Sequence, residues 1–87
     1  MSDRRAVFAT RFLQDMEYWT HADRRTAIRL LRLVRQIVKA PFGGIGKPKP
    51  LKRELAGLWS RRLTQEHRVV HEVAKNEVRF LQARHHY

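Results

Sequence analysis

The apolar positions of this chain change their period part-way along it. From Asp23 to Lys39 they fall at Ala27, Leu30, Leu31, Val34, Ile37 and Val38, the three- and four-residue spacing of one buried helical stripe. Asp23 or Thr20 can cap the start of this helix. Pro41 ends it, because proline lacks an amide hydrogen and turns Ala40 away from helical geometry. Upstream, Phe12, Leu13, Met16 and Trp19 predict a shorter helix from about Thr10 to Tyr18, with a hairpin around Thr20-His21-Ala22 joining the two. Ala6-Val7-Phe8 reads as a brief leading strand.

Between Pro41 and Pro50 lie three glycines and three prolines, which predict a loop that neither helix nor ladder accommodates. Beyond it the period becomes two. Segments 58–63, 67–73 and 77–83 predict three strands, joined by short turns at Thr64-Gln65-Glu66 and Ala74-Lys75-Asn76. Consecutive hairpins make an antiparallel meander, and helices followed by strands indicate an α+β domain whose helix pair covers one face of the sheet. Alternation sends Ser60 and Arg62 to one face and Trp59 and Arg61 to the other, so the arginine doublet cannot act as one clamp and one member is structural. At 87 residues the chain is read as a single domain, 1–87.

Charge sharpens this picture. Nineteen Lys and Arg against eight Asp and Glu give a formal charge of +11, which calls for a polyanionic partner, either nucleic acid or an acidic protein. Arginine supplies 14 of the 19 cations, and its planar fork suits phosphate and base contacts better than lysine does. The outer face of the second helix carries Arg24, Arg25, Arg29, Arg32 and Arg35, by default a solvated face and otherwise a partner contact. With no cysteine there is neither a disulfide framework nor a thiolate metal site. No apolar run approaches the roughly 18 residues of a membrane span, and a soluble cytoplasmic protein is expected. His67, His71, His85 and His86 share no recognised ligand spacing with a carboxylate, and Arg68 and Arg84 adjoin them, so no metal and no cofactor are expected.

Cutting RNA without a metal requires a base for the 2′-hydroxyl proton, a cation for the charge on the phosphorane and an acid for the leaving 5′-oxygen. Trp59-Ser60-Arg61-Arg62, Glu66-His67-Arg68 and His85-His86-Tyr87 bring suitable side chains onto neighbouring strands and the chain end. His86 can exchange protons near neutral pH, and the Tyr87 ring can stack on a base.

An ordered set of motifs runs through the chain. Tyr18-Trp19, Asp23-Arg24, Pro41-Phe42-Gly43-Gly44-Ile45-Gly46-Lys47-Pro48, Leu51-Lys52, Leu55-Ala56-Gly57, Trp59-Ser60-Arg61-Arg62, Glu66-His67-Arg68-Val69-Val70 and His86-Tyr87 resemble the Txe/YoeB toxins of bacterial toxin–antitoxin systems. The resemblance spans essentially the whole chain. It implies a RelE-like fold, two helices on a twisted antiparallel sheet, and a ribosome-dependent, metal-independent endoribonuclease that cleaves messenger RNA in the A site and inhibits translation. It also implies a YefM/Phd-like antitoxin with an acidic C-terminal segment, operator DNA bound only through the antitoxin complex, and a homodimer as one arrangement. Arg68 matches the family arginine that contacts the scissile phosphate, His86 the general acid and Tyr87 the terminal tyrosine that holds the substrate. Glu66 and Lys52 match polar residues of the same pocket, and Lys47, Arg61, Arg62 and Arg84 are expected to join Lys52 in binding RNA.

Two positions depart from the family pattern. Where these toxins have glutamate as general base, in Gly-Lys-Pro-Glu-Pro-Leu, this chain has Lys49, and where they have tyrosine it has His71. Three readings of Lys49 stay open: a working lysine base, a base supplied instead by Glu66 or His71, or a weakened homologue that mainly binds its antitoxin and co-represses the operon.

Overall fold

Asp23 separates the helices in the computed structural model, which describes residues 4–44, 48–51 and 57–85. Its carboxylate accepts hydrogen bonds from the amides of Arg25 and Thr26 and from the Thr26 hydroxyl, giving partners to groups that the first turn of a helix otherwise leaves bare. The Thr26 hydroxyl, followed by the Thr26 amide, holds that carboxyl below the usual carboxylate range. The cap opens helix α2 (Arg24–Lys39), and helix α1 (Thr10–Ala22) runs up to it. The hairpin expected at Thr20-His21-Ala22 is therefore helical, and Asp23 alone makes the break.

Helix α2 buries Thr26, Ala27, Leu30, Leu33, Val34 and Ile37. Leu33 is fully buried and Leu31, expected inside, is half exposed. Adjacent helical residues point about 100° apart, and Leu31 falls just outside the stripe the sheet covers, whereas the pairs Thr26-Ala27 and Leu33-Val34 straddle its centre. The same geometry leaves Leu13 of α1 outside while Phe12 and Trp19 are buried.

The sheet comprises β1 (Arg5–Phe8), β2 (Lys49–Pro50), β3 (Leu58–Arg62), β4 (Arg68–Val73) and β5 (Glu77–Gln82), in the order β1-β5-β4-β3-β2. Strands β2 to β5 pair antiparallel, as the hairpin spacing predicts. Strand β1 runs parallel to β5, Arg5 opposite Glu77 and Phe8 opposite Phe80, so the α+β fold carries a mixed sheet. A parallel pairing needs a long crossover, which the rest of the chain between β1 and β5 supplies. Lys49 and Pro50 also correct the expectation of a pure loop: they pair with Ser60 and Trp59, at an edge where proline's missing donor costs the ladder nothing.

The core lies between the helices and one sheet face, where Phe12, Leu30, Leu33 and Ile37 meet Val69, Val78 and Phe80. The Phe8, Phe12 and Phe80 rings pack pairwise at centroid distances of 5.3–5.5 Å. On β5, Leu81 has no partner because Val70 faces Gln82 and His71 faces Phe80, a bulge that bends the strand as it leaves the sheet. Among the described residues, no helix is long and apolar enough to cross a membrane. Asp23→Ala removes the cap and is expected to cost about 1 kcal/mol, read from urea unfolding; an unchanged midpoint would refute the capping role.

Candidate functional site

The sheet face opposite the helices carries the cations. In antiparallel pairs, directly opposed residues project from the same face, so Lys49 stands with Ser60, and Arg62 with Arg68. Arg68 Nε donates to the buried Ser60 Oγ at 2.9 Å, which fixes the guanidinium beside the Lys49 position. Burial, and secondarily the charge of Arg62, lower the proton affinity of Arg68. A guanidinium remains charged at neutral pH despite such a shift, so Arg62 and Arg68 repel one another. Among the described residues, no carboxylate forms an ion pair with Lys49, Arg62 or Arg68.

Two of the acids pair at the other end of the sheet. At the β5 end, Arg79 pairs with Glu72 at 2.9 Å and with Glu77, and these hydrogen bonds raise its proton affinity, Glu72 contributing most. Arg5 reaches Glu77 at 3.8 Å. Among the described residues, the ion pairs of Glu72 and Glu77 are therefore made with Arg79 and Arg5.

Beside those cations runs the chain that leaves β5. The amide of Ala83 donates to Asp15 Oδ2 and its carbonyl accepts from Trp19 Nε1, both at 2.9 Å. Two residues on, the His85 amide donates to His67 Nδ1 at 2.7 Å and the His85 carbonyl accepts from the Arg68 amide at 2.9 Å. Because His67 Nδ1 accepts, its neutral ring carries the proton on Nε2. His85 lies at φ 64°, a left-handed conformation uncommon among non-glycine residues.

A profile of YoeB-like toxins of bacterial type II toxin–antitoxin systems matches residues 8–87. The chain belongs to this family. A curated relative from Mycobacterium bovis, Toxin YoeB, is 51% identical over 74 residues, covering 85% of this chain and 87% of its own. A solved YoeB/ParE toxin from Agrobacterium tumefaciens superposes at a TM-score of 0.91 with 39% identity, covering 95% of this chain and 99% of its own. A YoeB–YefM complex from Staphylococcus aureus matches at 0.85 with 29% identity, over 99% of this chain and all of the other.

In this YoeB-like toxin the residues expected at the site are dispersed. Lys49, Arg62 and Arg68 share the open face. Glu66 is exposed in the turn before β4, where the Thr64 hydroxyl accepts from the amides of Glu66 and His67. Lys47, Lys52, His86 and Tyr87 lie outside the described residues. Arg84 stacks on Tyr18 of α1, its Cζ 3.5 Å from the ring centroid, so its cation is already engaged by an aromatic face. Arg61, expected to bind RNA, is instead fully buried on the helix side, its Nη2 donating to the Ala40 carbonyl at 2.6 Å. Gly44, at φ 94°, passes so close that a Cβ there would stand 3.3 Å from Arg61 Nη1. The sequence alone does not reveal Asp15, Trp19 and His67 as anchors of the chain end, because the groups they bond lie far along the chain.

His71 lies on the same inner face as Arg61, fully buried against Phe80, and no described group hydrogen-bonds its ring nitrogens in good geometry. Burial first, then the Arg61 charge, push it down to about 4, against a smaller opposing effect of the Pro41 backbone. Since an unfolded histidine titrates near 6.5, the unfolded chain binds more protons between those values. The stability contributed by neutral His71 is therefore complete above about pH 6.5 and lost as pH falls through about 4. The shift corresponds to about 3 kcal/mol. His71→Phe is expected to flatten the loss of stability between pH 6.5 and 4.5 in urea titrations; identical pH slopes for the two proteins would contradict this.

Proposed function

We propose that this toxin is a metal-independent endoribonuclease that cuts messenger RNA in the ribosomal A site and so inhibits translation. The observation that carries the reading is the open face on which Arg68, Arg62 and Lys49 stand together, beside the chain end that runs on into His86 and Tyr87, in a chain of the YoeB-like family. In this reading a base removes the 2′-hydroxyl proton, the 2′-oxygen bonds to the adjacent phosphorus, and the bond to the 5′-oxygen breaks. Arg68 stabilises the charge that builds on the phosphoryl oxygens, an electrostatic role suited to a guanidinium held by Ser60. His86 gives its proton to the departing 5′-oxygen, and Tyr87 holds the base by stacking. The products carry a 2′,3′-cyclic phosphate and a free 5′-hydroxyl.

Lys49 occupies the position of the base, with Glu66 as its alternate. The family glutamate takes a proton as a carboxylate, whereas an ammonium must first lose one, so this departure favours a slower enzyme. A homologue that only binds antitoxin is the second reading, and Lys49 is the observation in its favour. The partner in either case is a YefM-like antitoxin. The +11 charge suits an acidic segment, and the S. aureus relative was solved with YefM.

Two measurements test this. Lys49→Glu is expected to raise ribosome-dependent cleavage at least about tenfold in a purified translation assay, within the range that general base catalysis supplies; no change or a fall would show that the position is not impaired. His86→Ala is expected to abolish both A-site cleavage and growth arrest, and its retention of both would remove His86 from the reaction. A native chain that never arrests growth when expressed without antitoxin would instead support the binding-only reading.

A further inference from the structure

We infer that Asp15 and Trp19, two side chains of α1 on the far side of the sheet from the cations, are positioning residues for the C-terminal end of the proposed site. The inference rests on the ribonuclease reading above. Neither residue touches Lys49, Arg62 or Arg68 by any contact among the described residues. Their effect runs through backbone.

Asp15 is 3% exposed, and its carboxylate oxygens accept from Arg11 Nε, each at 3.0 Å, as well as from the Ala83 amide. Trp19 is 6% exposed, donates to the Ala83 carbonyl and packs edge-on against His67, ring centroids 4.8 Å apart. Ala83 thus has both its backbone groups bonded to α1. The His67 ring that Trp19 braces then receives the His85 amide, and the Arg68 amide fixes the His85 carbonyl. Every polar backbone group of Ala83 and His85 is committed, and the left-handed bend at His85 lies within that set. His86 is joined covalently to the His85 carbonyl carbon, whose oxygen lies 2.9 Å from the Arg68 amide nitrogen. The described chain that immediately precedes the proposed acid is therefore bonded to the backbone of the proposed phosphate-binding arginine. Burying a carboxylate in an apolar helix face costs desolvation, and the Ala83 amide that Asp15 holds accounts for its presence there. Misplacing a reacting group by about 1 Å is enough to lower a rate a hundredfold.

The test compares Asp15→Ala, Trp19→Phe and Asp15→Asn with the native chain. Single-turnover cleavage at saturating ribosomes is measured per folded molecule, with the folded fraction from circular dichroism and ribosome affinity determined separately. The expected result is a fall of tenfold or more in the cleavage step for Asp15→Ala and Trp19→Phe, with affinity unchanged within threefold. Asp15→Asn, which keeps an oxygen for the Ala83 amide, is expected to retain at least half the native rate. Native cleavage rates in both disrupted variants would overturn the inference, and so would equal losses of affinity and cleavage or a failure of Asp15→Asn to rescue. His86→Ala run alongside separates the two levels. If it is inert while the α1 variants cleave normally, only the positioning role falls; if it cleaves normally, the reading of the reaction falls and the positioning role with it.

Discussion

Two hydrogen bonds from buried side chains of α1 to the backbone of Ala83 set where the last strand ends and which way the chain leaves it. In a low-dielectric interior such bonds are strong, and removing one partner strands the other at a cost of about 1–3 kcal/mol. They also bind helix to sheet at the point where the hydrophobic core, Phe12, Val78 and Phe80, gives way to the polar end of the domain. The Leu81 bulge lies just before Ala83, and such bulges bend the strand that carries them. The left-handed bend at His85 and the bond between its carbonyl and the Arg68 amide are built outward from that junction.

The opposite constraint is charge. A chain with a formal +11 has few carboxylates, and four of those described have a clear assignment. Asp15 holds Ala83, Asp23 caps α2, and Glu72 and Glu77 neutralise Arg79. None of these four carboxylates pairs with the Lys49–Arg62–Arg68 end of the sheet. Arg68 is held there by Ser60.

Much of this was legible in the amino-acid order. The 3.6-residue stripe of α2 and the two-residue alternation of β3 to β5 are local signals, and alternation alone separated Arg61 from Arg62 onto opposite faces. The miss at Leu31 is one of phase: six apolar positions spread over adjacent residues define a helix but leave its centre line to the sheet it packs on. The direction of β1 depends on Glu77 to Phe80, some seventy residues later, and Lys49-Pro50 pairs only because β3 supplies an edge that tolerates proline. The bonds of Asp15 and Trp19 to Ala83 join residues more than sixty positions apart, and no local pattern announces them. Arg68 and His86 enter as candidates through a resemblance carried by motifs, whereas the burial of Arg61 beneath the turn after α2 needed the structure.

The central claim is that the cationic face cuts RNA by 2′-hydroxyl attack only when the ribosome presents the strand. The most direct measurement maps both ends of messenger fragments from purified ribosomes stalled at a defined codon, with the native chain added and free messenger as the control. The account predicts new ends confined to the A-site codon, a 2′,3′-cyclic phosphate on the upstream fragment, and intact free messenger. Equal cutting of free messenger, ends scattered outside the A site, or upstream fragments ending in a 3′-hydroxyl would contradict it.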